Sequence, residues 1–154
     1  MTQVPSDNTH SSSHFPLTKM IVAPLAGHVI GLHDSAFVLA EWAAPGAPEG
    51  PPRFIAPFHV HHTDDEAWYV LEGTLAFQLG DQQIQASAGS AVFAPRGVPH
   101  TYWNPSPTPA RYLLIKTPTI QQLINALHTS TERDPVALQT LYQQYNSALV
   151  PSPF

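Results

Sequence analysis

The chain has 154 residues, enough for one domain with its own core. Its net charge of −5, from 6 Lys and Arg against 11 Asp and Glu, excludes the clustered basic surface that nucleic acid or an anionic membrane would require. There is no cysteine, which excludes disulfide scaffolds, thiolate zinc sites and cysteine nucleophiles, and 8 glycines and 17 prolines exclude a fold built on long helices.

Residues 1–18 are polar and rich in Ser and Thr, and they read as a flexible arm. The apolar stretch after Lys19 is short and broken at Pro24, so it does not make the hydrophobic centre of a secretion signal, and a cytoplasmic location is expected. No apolar run approaches the ~18 residues of a membrane span.

Residues 19–117 read as short extended runs between Gly and Pro punctuation. Strands are expected at Met20–Ala23, Ala36–Trp42, Phe58–His61, Ala67–Leu71, Leu75–Leu79, Gln83–Ala86, Ala91–Ala94, His100–Asn104 and Arg111–Lys116. Many short strands with regular turn signals predict an all-β sandwich or barrel. The Pro-rich stretch 43–57 reads as a long loop or a lid over one end of it.

Residues 118–154 form a C-terminal helical extension. Ile120, Leu123, Ile124 and Leu127 lie on one helical face, and Thr117-Pro118 suits a helix start. Asp134-Pro135 is a second such start, and Val136, Leu138, Leu141, Tyr142 and Tyr145 line a second helix. Both helices are expected on the outside of the β core, followed by a loose tail.

Nine histidines outnumber the Lys and Arg residues, and their spacing carries the chemistry. His59 and His61 are two apart, so on a strand both imidazoles reach one face while His62 faces away. Glu66 would face away on a straight strand, so Thr63-Asp64-Asp65 must turn the chain. Asp64 and Asp65 serve that turn, or bond a ligating imidazole. In the second cluster, Pro95 and Gly97 make a tight turn, with Arg96 between them. His100 follows, and Tyr102 shares its face.

Together the two clusters resemble the paired motifs of the cupin family. His59, His61, Glu66 and Gly73 carry the first, although its leading glycine is replaced by Arg53; Gly89, Pro95, Gly97, His100 and Asn104 carry the second in full. The resemblance implies a double-stranded β-helix, a jelly-roll barrel. It also implies a divalent first-row ion (Fe, Mn, Ni, Cu or Zn) held by His59, His61, Glu66 and His100, a donor set suited to such ions. Trp68, Phe77 and Tyr102 are then candidates for the substrate pocket or for plain apolar packing, and Asn104 for securing the strand backbone.

The stretch Asp65-Glu66-Ala67-Trp68-Tyr69-Val70-Leu71-Glu72-Gly73 is similar to bacterial cupins related to quercetin 2,3-dioxygenase. That implies a metal-dependent dioxygenase acting on a small aromatic or enolisable substrate, with Glu66 as the catalytic base. The alternatives are a metal-assisted isomerase, epimerase or decarboxylase, and a non-enzymatic binding or sensing protein. The expected partners are a small-molecule substrate and a second copy of the chain in a homodimer, without nucleic acid or membrane.

Overall fold

The computed structural model describes residues 29–47 and 49–152. The expected arm at residues 1–18, the strand at Met20–Ala23 and the last two residues lie outside this range. The elements are β1 (Val29–Ile30), β2 (Val38–Ala44), β3 (His59–His61), β4 (Glu66–Glu72), β5 (Thr74–Leu79), β6 (Gln82–Ser87), β7 (Ala91–Ala94), β8 (His100–Trp103), β9 (Ala110–Lys116), α1 (Pro118–Thr129), α2 (Pro135–Gln144) and β10 (Ser147–Leu149).

The strands form two antiparallel five-stranded sheets, ordered β1-β2-β9-β4-β7 and β10-β3-β8-β5-β6. Alternation along the strands builds the space between them. On β9, Ala110, Tyr112, Leu114 and Lys116 point inward, and on β4 Glu66, Trp68 and Val70 do. The apolar ones, Trp68, Val70, Ala110, Tyr112 and Leu114, meet Leu75, Phe77 and Tyr102 of the opposite sheet in one core. The all-β double-stranded β-helix expected from the sequence is thus the fold observed.

The turns follow local chemistry. Gly73 joins β4 to β5 at φ +74°, and a Cβ there would stand 2.8 Å from the Pro109 carbonyl oxygen, so only glycine fits. Gly97 adopts φ +82° after Pro95-Arg96, and its N–H donates to the His61 carbonyl at 2.8 Å, tying the second motif to the strand of the first. Asn104 donates to the carbonyls of Ala44, Pro45 and Thr108 and accepts from the Ser106 N–H, which is the backbone-securing role expected of it.

Three features depart from the sequence reading. Strand β2 begins and ends two residues later than expected. The helices start at Pro118 and Pro135 behind the caps Thr117 and Asp134, as expected, but they close one end of the barrel over its interior rather than lying on its outside. Between α2 and the tail expected to be loose, Val150–Phe154, the chain forms a strand that was not expected. It turns at Asn146, a non-glycine residue at φ 51°, and returns as β10 to pair with β3. Val150 N–H then donates to the Phe58 carbonyl.

Candidate metal centre

The two sheets meet where β3 ends and β4 begins. His59 and His61 leave β3 on one face, two residues apart. The Thr63-Asp64-Asp65 segment then carries the chain into the other sheet, where Glu66 opens β4. His100 opens β8 directly across from His59. Each of these four side chains is 6% exposed or less, and four ligand atoms, one from each, lie within 4.8 Å of one another. His62 is exposed and points away, as the two-residue period requires.

The hydrogen bonds assign the protons. His59 Nδ1 faces the Pro57 carbonyl at 2.7 Å and His100 Nδ1 faces the Val98 carbonyl at 2.9 Å. A carbonyl only accepts, so both Nδ1 atoms carry the hydrogen. The Ser147 hydroxyl donates to the Tyr145 carbonyl, so its oxygen accepts from His61 Nδ1 at 2.7 Å. In the neutral rings all three Nε2 atoms are then bare lone pairs. They converge on Glu66 Oε2, with His59 Nε2 3.1 Å from His61 Nε2, and His100 Nε2 3.1 Å and His61 Nε2 3.7 Å from the carboxylate oxygen.

Such a set of acceptors has no proton to share, and a cation resolves it. Two ligands about 2.1 Å from one ion stand about 3 Å apart at a right angle, close to two of these spacings. Electrostatics points the same way. Burial, then the neighbouring His100 and His61, push His59 down to about 3, so its ring is neutral as a ligand must be. Burial alone would raise Glu66. Where His100 and His61 carry a proton toward it, their hydrogen bonds and charge outweigh burial and hold the carboxyl well below its ordinary range; with those Nε2 atoms bare, a cation would act on it in the same sense.

His59, His61 and Glu66 line a cavity of about 330 Å³, and His100 stands behind them. Its wall is mostly apolar, with Trp42, Leu114, Ile120 and Leu127 among its residues, and α1 and α2 supply much of it. Tyr102 lines it, as expected. Trp68 and Phe77 do not: both are wholly buried in the core, and Trp68 packs against His100 with ring centres 5.7 Å apart. Phe77 packs in turn on Trp68 and Tyr102. Tyr112 and Tyr142, not foreseen, join Tyr102 on the wall. Burial raises Tyr112 to about 12 and pushes Tyr102 and Tyr142 up as well, so all three hydroxyls stay neutral. The Tyr102 and Tyr112 hydroxyls bond each other at 3.0 Å.

The acidic turn residues bond elsewhere than to the imidazoles. Asp64 accepts from the hydroxyls of Thr63 and Thr117, and exposed Asp65 accepts from the Arg96 backbone and guanidinium. Lys116, also unforeseen, is 1% exposed beside Glu66 on the neighbouring strand, and its Nζ has no hydrogen-bond partner among the described residues. Alternation with Tyr112 and Leu114 on one strand was the signal that would have placed it inside.

Residues 45–116 match the family model described as Cupin domain. No curated protein matches the chain. Among solved structures, the chain is similar to a cupin protein from Bacteroides fragilis, at 20% identity over 64% of this chain and 80% of that one, with a TM-score of 0.51. It is also similar to a protein from Thermus thermophilus, at 27% identity over 68% and 95% with a TM-score of 0.47. A third is a sugar phosphate isomerase from a cupin superfamily, of Silicibacter pomeroyi, at 25% identity over 58% and 57% with a TM-score of 0.46. The first of these likenesses shows the fold, which is that of the cupins. The domain match and the shared fold together support the cupin superfamily.

Proposed function

We propose that this cupin-fold chain is a metal-dependent dioxygenase acting on a small aromatic or enolisable substrate. One observation carries the reading: three imidazole lone pairs and a carboxylate converge beside a largely apolar cavity that His59, His61 and Glu66 line. An ion bound there would supply Lewis acidity and a place for dioxygen. His59, His61, Glu66 and His100 would hold it.

The wall selects the substrate. A cavity of about 330 Å³ is at the small end of the ~300–1,000 Å³ typical of ligand pockets, so it takes a compact molecule. Arg133, between the helices, is the only lysine or arginine lining the cavity among the described residues. That single cation suits a sugar phosphate poorly, which disfavours the isomerase alternative. Aromatic and aliphatic side chains exclude water and stack against a ring, while the neutral Tyr102, Tyr112 and Tyr142 hydroxyls are placed to orient its oxygens. Glu66 accepts the acidic proton of the substrate.

The test is oxygen uptake by metal-loaded protein with catechols, flavonols and β-diketones, beside its Glu66→Gln variant. The amide keeps the shape of the side chain and one carbonyl oxygen but cannot take the proton. The variant is expected to retain at least half its metal and to lose about 10²–10⁴ in rate. Metal-loaded protein that binds these compounds without consuming oxygen would instead mark a binding or sensing protein.

A further inference from the structure

The segment after the barrel is a closed excursion. It leaves at Lys116, next to Glu66 across the β4–β9 ladder, runs through both helices, and returns at Ser147, which sits opposite His61 in the β3–β10 ladder. Both ends of the helical extension therefore touch strands that carry the donors, although the extension lies beyond the residues of either histidine motif.

We propose that Ser147 is a positioning residue for His61, so that a site whose donors all lie in the barrel depends on the C-terminal strand for one ligand's tautomer and aim. The inference rests on the reading of the histidine–glutamate cluster as a metal centre. His59 and His100 each donate Nδ1–H to a carbonyl two residues away in their own chain segment, Pro57 and Val98. His61 has no such local acceptor. Its Nδ1 partner is the Ser147 hydroxyl, 86 residues further along the chain. That hydroxyl is directional because its own proton is committed to the Tyr145 carbonyl at 3.0 Å. The relay runs from His61 Nδ1–H to Ser147 Oγ–H to the Tyr145 carbonyl. It leaves His61 Nε2 bare and aimed at Glu66. Without it, a buried imidazole can place its proton on Nε2 toward the carboxylate, where it blocks a ligand position. Ser147 is 2% exposed, so water does not replace the hydroxyl without a change in packing. Tyr142, at the end of α2, fixes the same corner from the other side, with its ring centre 5.4 Å from that of His59.

Loss of a partner that orients a ligating histidine typically weakens metal affinity 10–100-fold. The experiment compares Ser147→Thr with Ser147→Val. The two side chains share one shape, and only Thr has the hydroxyl, so packing strain is common to both. In metal-free protein, long-range ¹H–¹⁵N spectra of the imidazoles read the tautomer directly. His61 is expected as the Nδ1–H form in the native protein and in Ser147→Thr, and as the Nε2–H form or a mixture in Ser147→Val. Chelator competition with Co²⁺ should then show Ser147→Val 10–100-fold weaker than Ser147→Thr, with a changed visible spectrum of the bound ion. Identical tautomer and affinity in the two variants would overturn the positioning role while leaving the site itself intact. A native protein that takes up no Co²⁺, yet shows the tautomer difference, would refute the metal centre and leave the hydrogen-bond relay standing. Should both variants fail to fold, His61 in the native metal-free protein decides: an Nε2–H ring there refutes the relay.

Discussion

Lys116→Met should make the protein more stable. The native side chain holds an ammonium in a space 1% exposed, with no hydrogen-bond partner for Nζ among the described residues. Burial pushes its pKa down from 10.5 to about 8, against the attraction of Glu66, which pulls it up. A depressed lysine means that the unfolded chain holds the proton more tightly than the folded one between those two values. Stability from this group therefore rises as pH climbs from about 8 toward 10.5, and the penalty is fully present below 8. At 1.36 kcal/mol per unit the penalty at pH 7 is about 3 kcal/mol. Methionine fills much the same volume with a flexible apolar chain and removes the charge. At roughly 3 °C per kcal/mol for a domain of this size, the melting point should rise by roughly 10 °C.

The assay is urea unfolding of metal-free native and Lys116→Met proteins at pH 7, 8, 9 and 9.5. The gap between them should be widest at pH 7 and should narrow steadily above pH 8. The buried tyrosines titrate higher and are common to both proteins, so the difference isolates Lys116. A destabilised variant, or a gap that stays constant from pH 7 to 9.5, would refute the reasoning and mean that Nζ has a compensating partner.

Other outcomes follow from the same geometry. His59→Ala and His61→Ala should each lose most of the bound metal, read by elemental analysis of protein purified without chelator. They should also lose the thermal stabilisation that metal confers, worth about 2.7 kcal/mol at a hundredfold excess over Kd. His62→Ala should leave metal content unchanged, because that side chain is on the outer face. Asn104→Ala should cost about 1–3 kcal/mol in urea unfolding, since it strands the Ala44 and Thr108 carbonyls in a part-buried loop. Phe77→Ala should cost about 3–5 kcal/mol in urea unfolding, since it removes a wholly buried ring that stacks on Tyr102.

The barrel was legible because its signals are local. Gly73, Gly97 and the Pro95 turn punctuate the chain at positions where backbone geometry demands them, and the alternation of β4, β5 and β9 follows from one buried face. The donors were legible for the same reason: His59 and His61 are held by a period of two, and Glu66 and His100 by turns of fixed composition. What the sequence hid depends on contacts between distant segments. The stripe of Ile120, Leu123, Ile124 and Leu127 shows that α1 buries one face but not what it buries it against. That partner is the mouth of the barrel. Ser147 lies in a three-residue strand with no turn signal of its own, and its importance comes from a partner 86 residues away. Trp68 and Phe77 share the inward face with the ligands, but face alone does not give depth, and they lie below the cavity floor.

The distribution of protons in this site narrows where chemistry occurs. The three histidine Nδ1 hydrogens are committed to Pro57, Val98 and Ser147, and the Nε2 atoms face the proposed ion. The tyrosine hydroxyls have pKa values raised by burial, so they donate hydrogen bonds without giving up a proton. In the proposed reaction, a proton leaving a substrate beside Glu66 would have that carboxylate as its acceptor. Glu66 approaches the histidines through Oε2, and no hydrogen bond within the described residues occupies Oε1. One carboxylate can therefore hold an ion with one oxygen and receive a proton on the other. In the proposed function, ligand and base are two duties of the same side chain, and its replacement by glutamine separates them.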